Sequence, residues 1–217
     1  MNGAEALINA LAEAGVDVCF ANPGTSEMQL VAAIDQQPKI RGILCLFEGV
    51  VTGAADGYGR MADKPALTLL HLGPGLGNGT ANLHNARRAF SPVLNMVGDH
   101  ATYHSQYDAP LTADIEGFAE PVSGWIGVSQ GPEDLANTGM AALSESLRYP
   151  GQIATFIAPA DHAWSPAHAC EATLAPPEPP RADDAQLAAA VAALTSEGER
   201  VLFLGGRALR EDALLQA

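Results

Sequence analysis

Short apolar runs, each closed by a glycine, a proline or a polar residue and followed by a helical repeat, recur along most of this chain. Val16–Ala21 (VDVCFA), Ile40–Phe47, Ala66–Leu72 (ALTLLHL), Val93–Val97 and Gln152–Ala158 (QIATFIA) have the length and composition of buried strands. Between them stand apolar residues at helical spacing. Leu7, Ile8 and Leu11 precede the first run, and Met28, Val31 and Ile34 follow it. Ala81, Leu83, Ala86 and Phe90 precede the fourth, and Leu135, Met140, Leu143 and Leu147 the fifth. Strands that alternate with helices imply right-handed crossovers and a buried parallel sheet. The expected fold class is α/β, a parallel sheet with helices on both faces.

The 217 residues are 47% hydrophobic, enough for one full α/β domain and part of another. The first domain is expected over 1–172. A proline-rich linker follows over 173–183, marked by Ala175-Pro176-Pro177-Glu178-Pro179-Pro180. Residues 184–217 read as the truncated start of a second α/β domain. In it Ala185–Leu194 is helical, Val201–Leu204 is a strand running into Gly205-Gly206, and another helix opens toward Ala217. Inside the first domain, Asp99–Leu111 reads as an exposed polar and aromatic loop. Thr112 is expected to cap a short helix through Ile115 and Phe118, and Pro132 to open a longer one.

Composition excludes several roles. The formal net charge is -14, with 25 acidic residues against 11 basic, and no basic run exists to bind nucleic acid. Cys19, Cys45 and Cys170 are far apart without CxxC spacing, so neither a zinc site nor a disulfide framework is indicated. No signal peptide precedes the first helix and no apolar run approaches membrane-spanning length, so a cytoplasmic protein without membrane partners is expected.

Three strand ends carry distinctive chemistry. The stretch Leu44–Met61 (LCLFEGVVTGAADGYGRM) places one carboxylate, Glu48, where strand passes into helix. Gly49, Gly53 and Gly57 then share one helix face, which suggests close approach of another backbone. A lone acid ending an apolar strand is either a capping residue or a buried acid meeting a ligand at the carboxyl end of a parallel sheet. Asn22-Pro23-Gly24-Thr25 breaks the first strand sharply, and His71 ends the third. After His71 comes Gly73-Pro74-Gly75-Leu76-Gly77-Asn78-Gly79, which reads as a glycine loop and fits neither GxGxxG nor a P-loop.

Together, Asn22-Pro23-Gly24-Thr25, Phe47-Glu48-Gly49 with Ala54-Ala55-Asp56-Gly57-Tyr58, and Gly73-Pro74-Gly75 with Asn78 resemble the pyrimidine-binding domain of thiamine-diphosphate enzymes acting on 2-oxo acids. The resemblance runs from about Ala4 to Pro159. It implies an enzyme that decarboxylates or ligates a small-molecule 2-oxo acid, acetolactate synthase-like or benzoylformate decarboxylase-like. It implies that Glu48 bonds to N1′ of the cofactor aminopyrimidine, and that Asn22, Pro23, Gly24, Thr25, Gly73, Pro74, Gly75 and Asn78 line the cofactor. His71 is similar to a strand-end histidine of benzoylformate decarboxylase, where it would exchange protons with the substrate carbonyl oxygen. The alternative is a satisfied polar residue at a strand end. Thr25 takes the place of that enzyme's active-site serine. Asp99 stands where acetolactate synthase has glutamine. The family holds its diphosphate through Mg²⁺ on a separate domain absent from these residues, so no metal ligand is expected here and the chain alone is expected to be inactive. In the family the active site lies between subunits, which implies a homodimer or homotetramer. His100 and His104 read as part of a solvated loop, and His84, His162 and His168 as structural. The competing reading is a non-catalytic assembly or regulatory partner that keeps the fold; retention of Glu48 argues against it.

Overall fold

The first helix begins where Asn2 can close it. The Asn2 side chain accepts from the Glu5 N–H (2.8 Å) and the Glu5 carboxylate accepts from the Asn2 N–H (3.0 Å), a reciprocal cap that starts α1 at Gly3–Glu13. The computed structural model describes residues 1–210 and divides into two units, Met1–Glu178 and a second from Pro179 onward. In the first unit α1 is followed by β1 (Val18–Asn22), α2 (Met28–Gln36), β2 (Arg41–Leu44), α3 (Glu48–Ala62), β3 (Ala66–Leu70) and α4 (Leu72–Arg88). Then come β4 (Val93–Asp99), α5 (Ile115–Ala119), β5 (Trp125–Val128), α6 (Leu135–Ser146), β6 (Ile153–Pro159) and α7 (Ala160–Trp164).

All strand pairs are parallel and the order across the sheet is β2-β1-β3-β4-β6-β5. Alternate residues of the central strands face opposite layers, as a period of two requires. Leu67, Leu69, Leu94, Met96 and Phe156 pack under α1, α2 and α6 with Leu7, Ile8, Leu11, Leu30 and Leu143. Leu70, Val93, Val97 and Ile157 pack under α3, α4 and α5 with Val51, Ala55, Leu76, Leu83 and Ile115. The sheet is therefore covered on both faces.

One polar rung crosses this apolar interior. Thr68, Asn95 and Thr155 stand directly opposite one another on β3, β4 and β6, each with 0% exposure. The Thr68 hydroxyl donates to Asn95 Oδ1 (2.7 Å) and Asn95 Nδ2 donates to Thr155 Oγ1 (2.9 Å). Slipping any strand by one residue would turn these groups into the opposite hydrocarbon layer, so the rung holds register.

Several elements differ from expectation. The glycine loop after His71 is helical: Gly73–Gly79 lies within α4. Pro74 sits in its first turn, where a missing N–H costs nothing. Gly75 and Gly79 are tolerated because α4 packs too close to its neighbours for side chains there, with a Cβ at Gly79 falling 2.8 Å from Thr52 Cγ2. Asp114, not Thr112, caps α5, its Oδ1 accepting from the Gly117 N–H (2.8 Å). The edge strand β5 and the five-residue α7 were not anticipated; Gly127 and only four half-buried residues leave β5 little pattern to read. On α3 the glycine face meets side chains rather than backbone. Gly53 packs on Asn82 and Gly57 faces open space, whereas Gly59 is the glycine whose Cβ would meet the Pro92 carbonyl oxygen (2.6 Å).

In the second unit, Asp183 and Gln186 cap α8 (Asp184–Thr195) reciprocally. Val201–Leu204 forms no strand among the described residues, since no neighbouring strand is present there to pair with it. A short 3₁₀ segment spans Gly206–Arg210, and the rest of the helix expected toward Ala217 lies outside the described residues.

Asn95→Leu should keep the volume of the rung but leave the Thr68 hydroxyl without its acceptor. Denaturant unfolding is expected to show a loss of about 1–3 kcal/mol. Unchanged stability would show that the rung contributes nothing to register.

Candidate active site

In an open parallel sheet, ligands bind beyond the carboxyl ends of the strands where the strand order reverses. Here the chain runs from β1 out to β2, then back across β1 to β3, so the reversal lies between β1 and β3. The segments leaving that edge are Asn22–Glu27 after β1, Cys45–Glu48 after β2, His71 after β3 and Asp99–His100 at the end of β4. Asn22 Nδ2 donates to the Cys45 carbonyl (2.7 Å), tying the first two together.

Glu48 is the first residue of α3 and is 7% exposed. Its negative charge suits a helix N-terminus. Asn78 on α4 donates to Glu48 Oε2 (3.0 Å). A Cβ on Gly75 would stand 3.0 Å from Glu48 Oε1 and 3.4 Å from the Leu70 carbonyl carbon, so glycine there makes room for the carboxylate. The two helices are bonded on either side of it. Asn82 Nδ2 donates to the Gly49 carbonyl (2.6 Å), and the Thr52 hydroxyl donates to the Gly79 carbonyl (3.0 Å). Among the described residues no hydrogen bond reaches Glu48 Oε1.

His71 leaves β3 through a sharp corner. The buried Leu72 after it adopts φ 52°, a left-handed conformation that is strained for a bulky residue. The Gly75 N–H then donates to the His71 carbonyl (2.8 Å), closing the first turn of α4. His71 Nδ1 lies 2.8 Å from Glu27 Oε2, which also accepts from the Gly24 N–H (2.7 Å). Gly24 lies flat against the imidazole, where a Cβ would collide with the ring. Glu27 itself is 0% exposed. Burial pushes its carboxyl above the ordinary range, partly offset by the bonds from Gly24 and His71.

Glu27 is the site residue that sequence reasoning missed. Its signal was local: an acid three residues beyond a turn glycine, bonding back to that glycine's N–H, is the acidic half of a helix-start cap.

The other expected residues separate. Thr25, Pro74 and Asn78 are exposed at the edge, Asn78 with its bond to Glu48. Gly73 instead turns its bare Cα to Ala113, in the packing between α4 and the approach to α5. Asp99 is partly exposed and accepts from the His100 N–H (2.7 Å); burial raises its carboxyl, and that bond together with the nearby His100 pulls the other way. The His100 and His104 rings are 5.5 Å apart, and His162 bonds to Ser129 (3.0 Å) inside the fold.

Residues 1–120 match the family described as thiamine pyrophosphate enzyme, N-terminal TPP binding domain. The chain belongs to that family. A Mycobacterium tuberculosis protein named as an acetolactate synthase large subunit is 53% identical over the whole of this chain, which spans 42% of that relative. Benzoylformate decarboxylase of Pseudomonas aeruginosa is 33% identical over 51% of this chain and 21% of its own length. Among solved structures, a thiamin diphosphate-dependent enzyme from Mycobacterium smegmatis superposes with a TM-score of 0.77 at 25% identity, covering 88% of this chain and 37% of that one. The α/β fold of the family is thus present, in a chain shorter than half of these relatives. The family's cofactor carries an aminopyrimidine whose ring nitrogen can share a proton with a carboxyl group. Glu48, with Oε2 anchored and Oε1 unbonded, fits that requirement.

The raised Glu27 carboxyl fixes the sign of a stability effect. The native state holds the proton more tightly than the unfolded chain, so the contribution of Glu27 is fullest at low pH and declines as pH rises through its native value. Glu27→Gln, which carries no titrating group, should therefore gain stability relative to the unaltered protein as pH rises from the ordinary glutamate value, about 4.3, through the raised native one. Parallel stability curves for the two proteins over that interval would contradict it.

Proposed function

We propose that this chain is the N-terminal part of a thiamine-diphosphate-dependent enzyme that decarboxylates or ligates 2-oxo acids, and that it supplies the aminopyrimidine half of the cofactor site. The observation that carries the reading is the Glu48 carboxylate, buried at the sheet's carboxyl edge with one oxygen bonded to Asn78 and the other unbonded. Glu48 Oε1 holds and returns the proton of the pyrimidine ring nitrogen, while Asn78 and the bare Cα of Gly75 keep the carboxylate in place. The turn Asn22–Thr25 and the start of α4 at Pro74 and Gly75 line the ring. His71 exchanges a proton with the substrate carbonyl oxygen through Nε2, the nitrogen not turned to Glu27. When bound, the cofactor supplies the nucleophilic carbon and the electron sink that side chains lack.

The diphosphate and its Mg²⁺ belong, in this reading, to a separate domain; among the described residues no group of three or more His, Cys, Asp or Glu is placed to hold a metal ion. Residues 1–172 are the pyrimidine-binding domain, 173–183 a linker and 184–217 the opening of the central domain. The protein assembles as a homodimer or homotetramer through the start of α3. In support, Leu44, Leu46, Phe47 and Val50 crowd exposed around Glu48, an apolar patch that water alone would not favour. Cys19, Cys45 and Cys170 are free thiols, which suits the cytoplasm. No helix among the described residues is long and apolar enough to cross a membrane.

Glu48→Gln, made in the full-length enzyme, tests the reading. Folding should survive, while hydrogen–deuterium exchange at C2 of the bound cofactor and turnover should each fall by about 10²–10⁴-fold. Unchanged exchange in the folded variant would remove Glu48 from the chemistry.

A further inference from the structure

We infer that Glu27 is a positioning residue that holds the His71 imidazole in the tautomer with its proton on Nδ1, leaving the Nε2 lone pair free for proton exchange in the site. The inference rests on the reading of His71 as the acid–base group.

With Glu27 ionised the bond between them has one direction: the carboxylate can only accept, so His71 Nδ1 is the donor, beside the Gly24 N–H on the same Oε2. A neutral imidazole that donates from Nδ1 is unprotonated at Nε2. The carboxylate has nowhere else to turn. It is 0% exposed, its Oε1 has no hydrogen-bond partner among the described residues, and that oxygen lies against the bare Cα of Gly98 on β4.

Three strand ends cooperate in this arrangement. Gly24 after β1 clears the space the ring occupies, Gly98 at the end of β4 clears the space Oε1 occupies, and the strained Leu72 after β3 sets His71 at the corner. An orphaned buried oxygen is costly, and a left-handed leucine adds strain; both persist where the surrounding structure imposes them. When Nε2 takes up a proton, the buried carboxylate beside Nδ1 stabilises the imidazolium. This is the part the buried aspartate plays beside the histidine of a serine-protease triad.

The test needs neither cofactor nor substrate, so it stands apart from the question of which reaction the enzyme performs. Nitrogen-15 shifts of the imidazole are measured on the present chain at a pH where His71 is neutral. The His71 signal is assigned among the six histidines by its loss in His71→Gln. The expected result is a protonated Nδ1 and an unprotonated Nε2. Glu27→Leu should replace this by a mixture of tautomers. Glu27→Gln, which keeps an acceptor oxygen for both donors, should restore the Nδ1–H form. An unaltered chain with its proton on Nε2 would overturn the inference without any variant, which covers the case in which Glu27→Leu fails to fold. A folded Glu27→Leu with the same tautomer, or a folded Glu27→Gln that does not restore it, would overturn it as well.

Discussion

The close contact between α3 and α4 is the constraint on which the rest of this structure depends. Thr52 and Asn82 bond to carbonyls at Gly79 and Gly49, so the two helices meet through backbone as much as through side chains. Such an approach needs glycine where α3 comes closest, which explains Gly75 beside Glu48 and Gly79 beside Thr52 in the first turns of α4, despite about 1 kcal/mol of propensity lost at each. The contact fixes where α3 begins, and with it the position of Glu48.

Two buried acids then face different tasks from neighbouring corners. Glu48 has one oxygen anchored by Asn78 and the other unbonded at the edge of the sheet, the condition of a group that meets a ligand. Glu27 is sealed, with one oxygen bonded twice and the other against Gly98, the condition of a group that meets only protein. Exposure separates them little, at 7% and 0%, so burial alone would not assign the roles. Their hydrogen bonds do.

Much of the fold was legible because buried parallel strands are written as continuous apolar runs. Each of the five runs recognised in the sequence overlaps a strand of the sheet, and Glu48 and His71 lie where the runs end. The sixth strand, β5, was not, because an edge strand of four half-buried residues with Gly127 inside it carries neither a full apolar run nor a clean alternation. The glycines after His71 misled for a related reason. Local propensity predicts a loop, and only the packing of α4 on Thr52 and Glu48 reverses it. Val201–Leu204 failed in the opposite sense, having strand composition but no neighbour among the described residues. Of the site, the pair Glu48 and Asn78 is joined by a bond between residues thirty positions apart that no periodicity announces. Glu27 was hidden because its local role as a helix-start acid gives no hint of its bond to a histidine forty-four residues away.

The measurement closest to the centre of this account is a crystal structure of the full-length enzyme with thiamine diphosphate bound. The account predicts Glu48 Oε1 at hydrogen-bond distance, about 2.6–3.0 Å, from the ring nitrogen N1′ of the aminopyrimidine, with Asn78 still on Oε2. A pyrimidine ring bound away from Glu48, or a Glu48 side chain turned from the sheet's carboxyl edge in the complex, would contradict it.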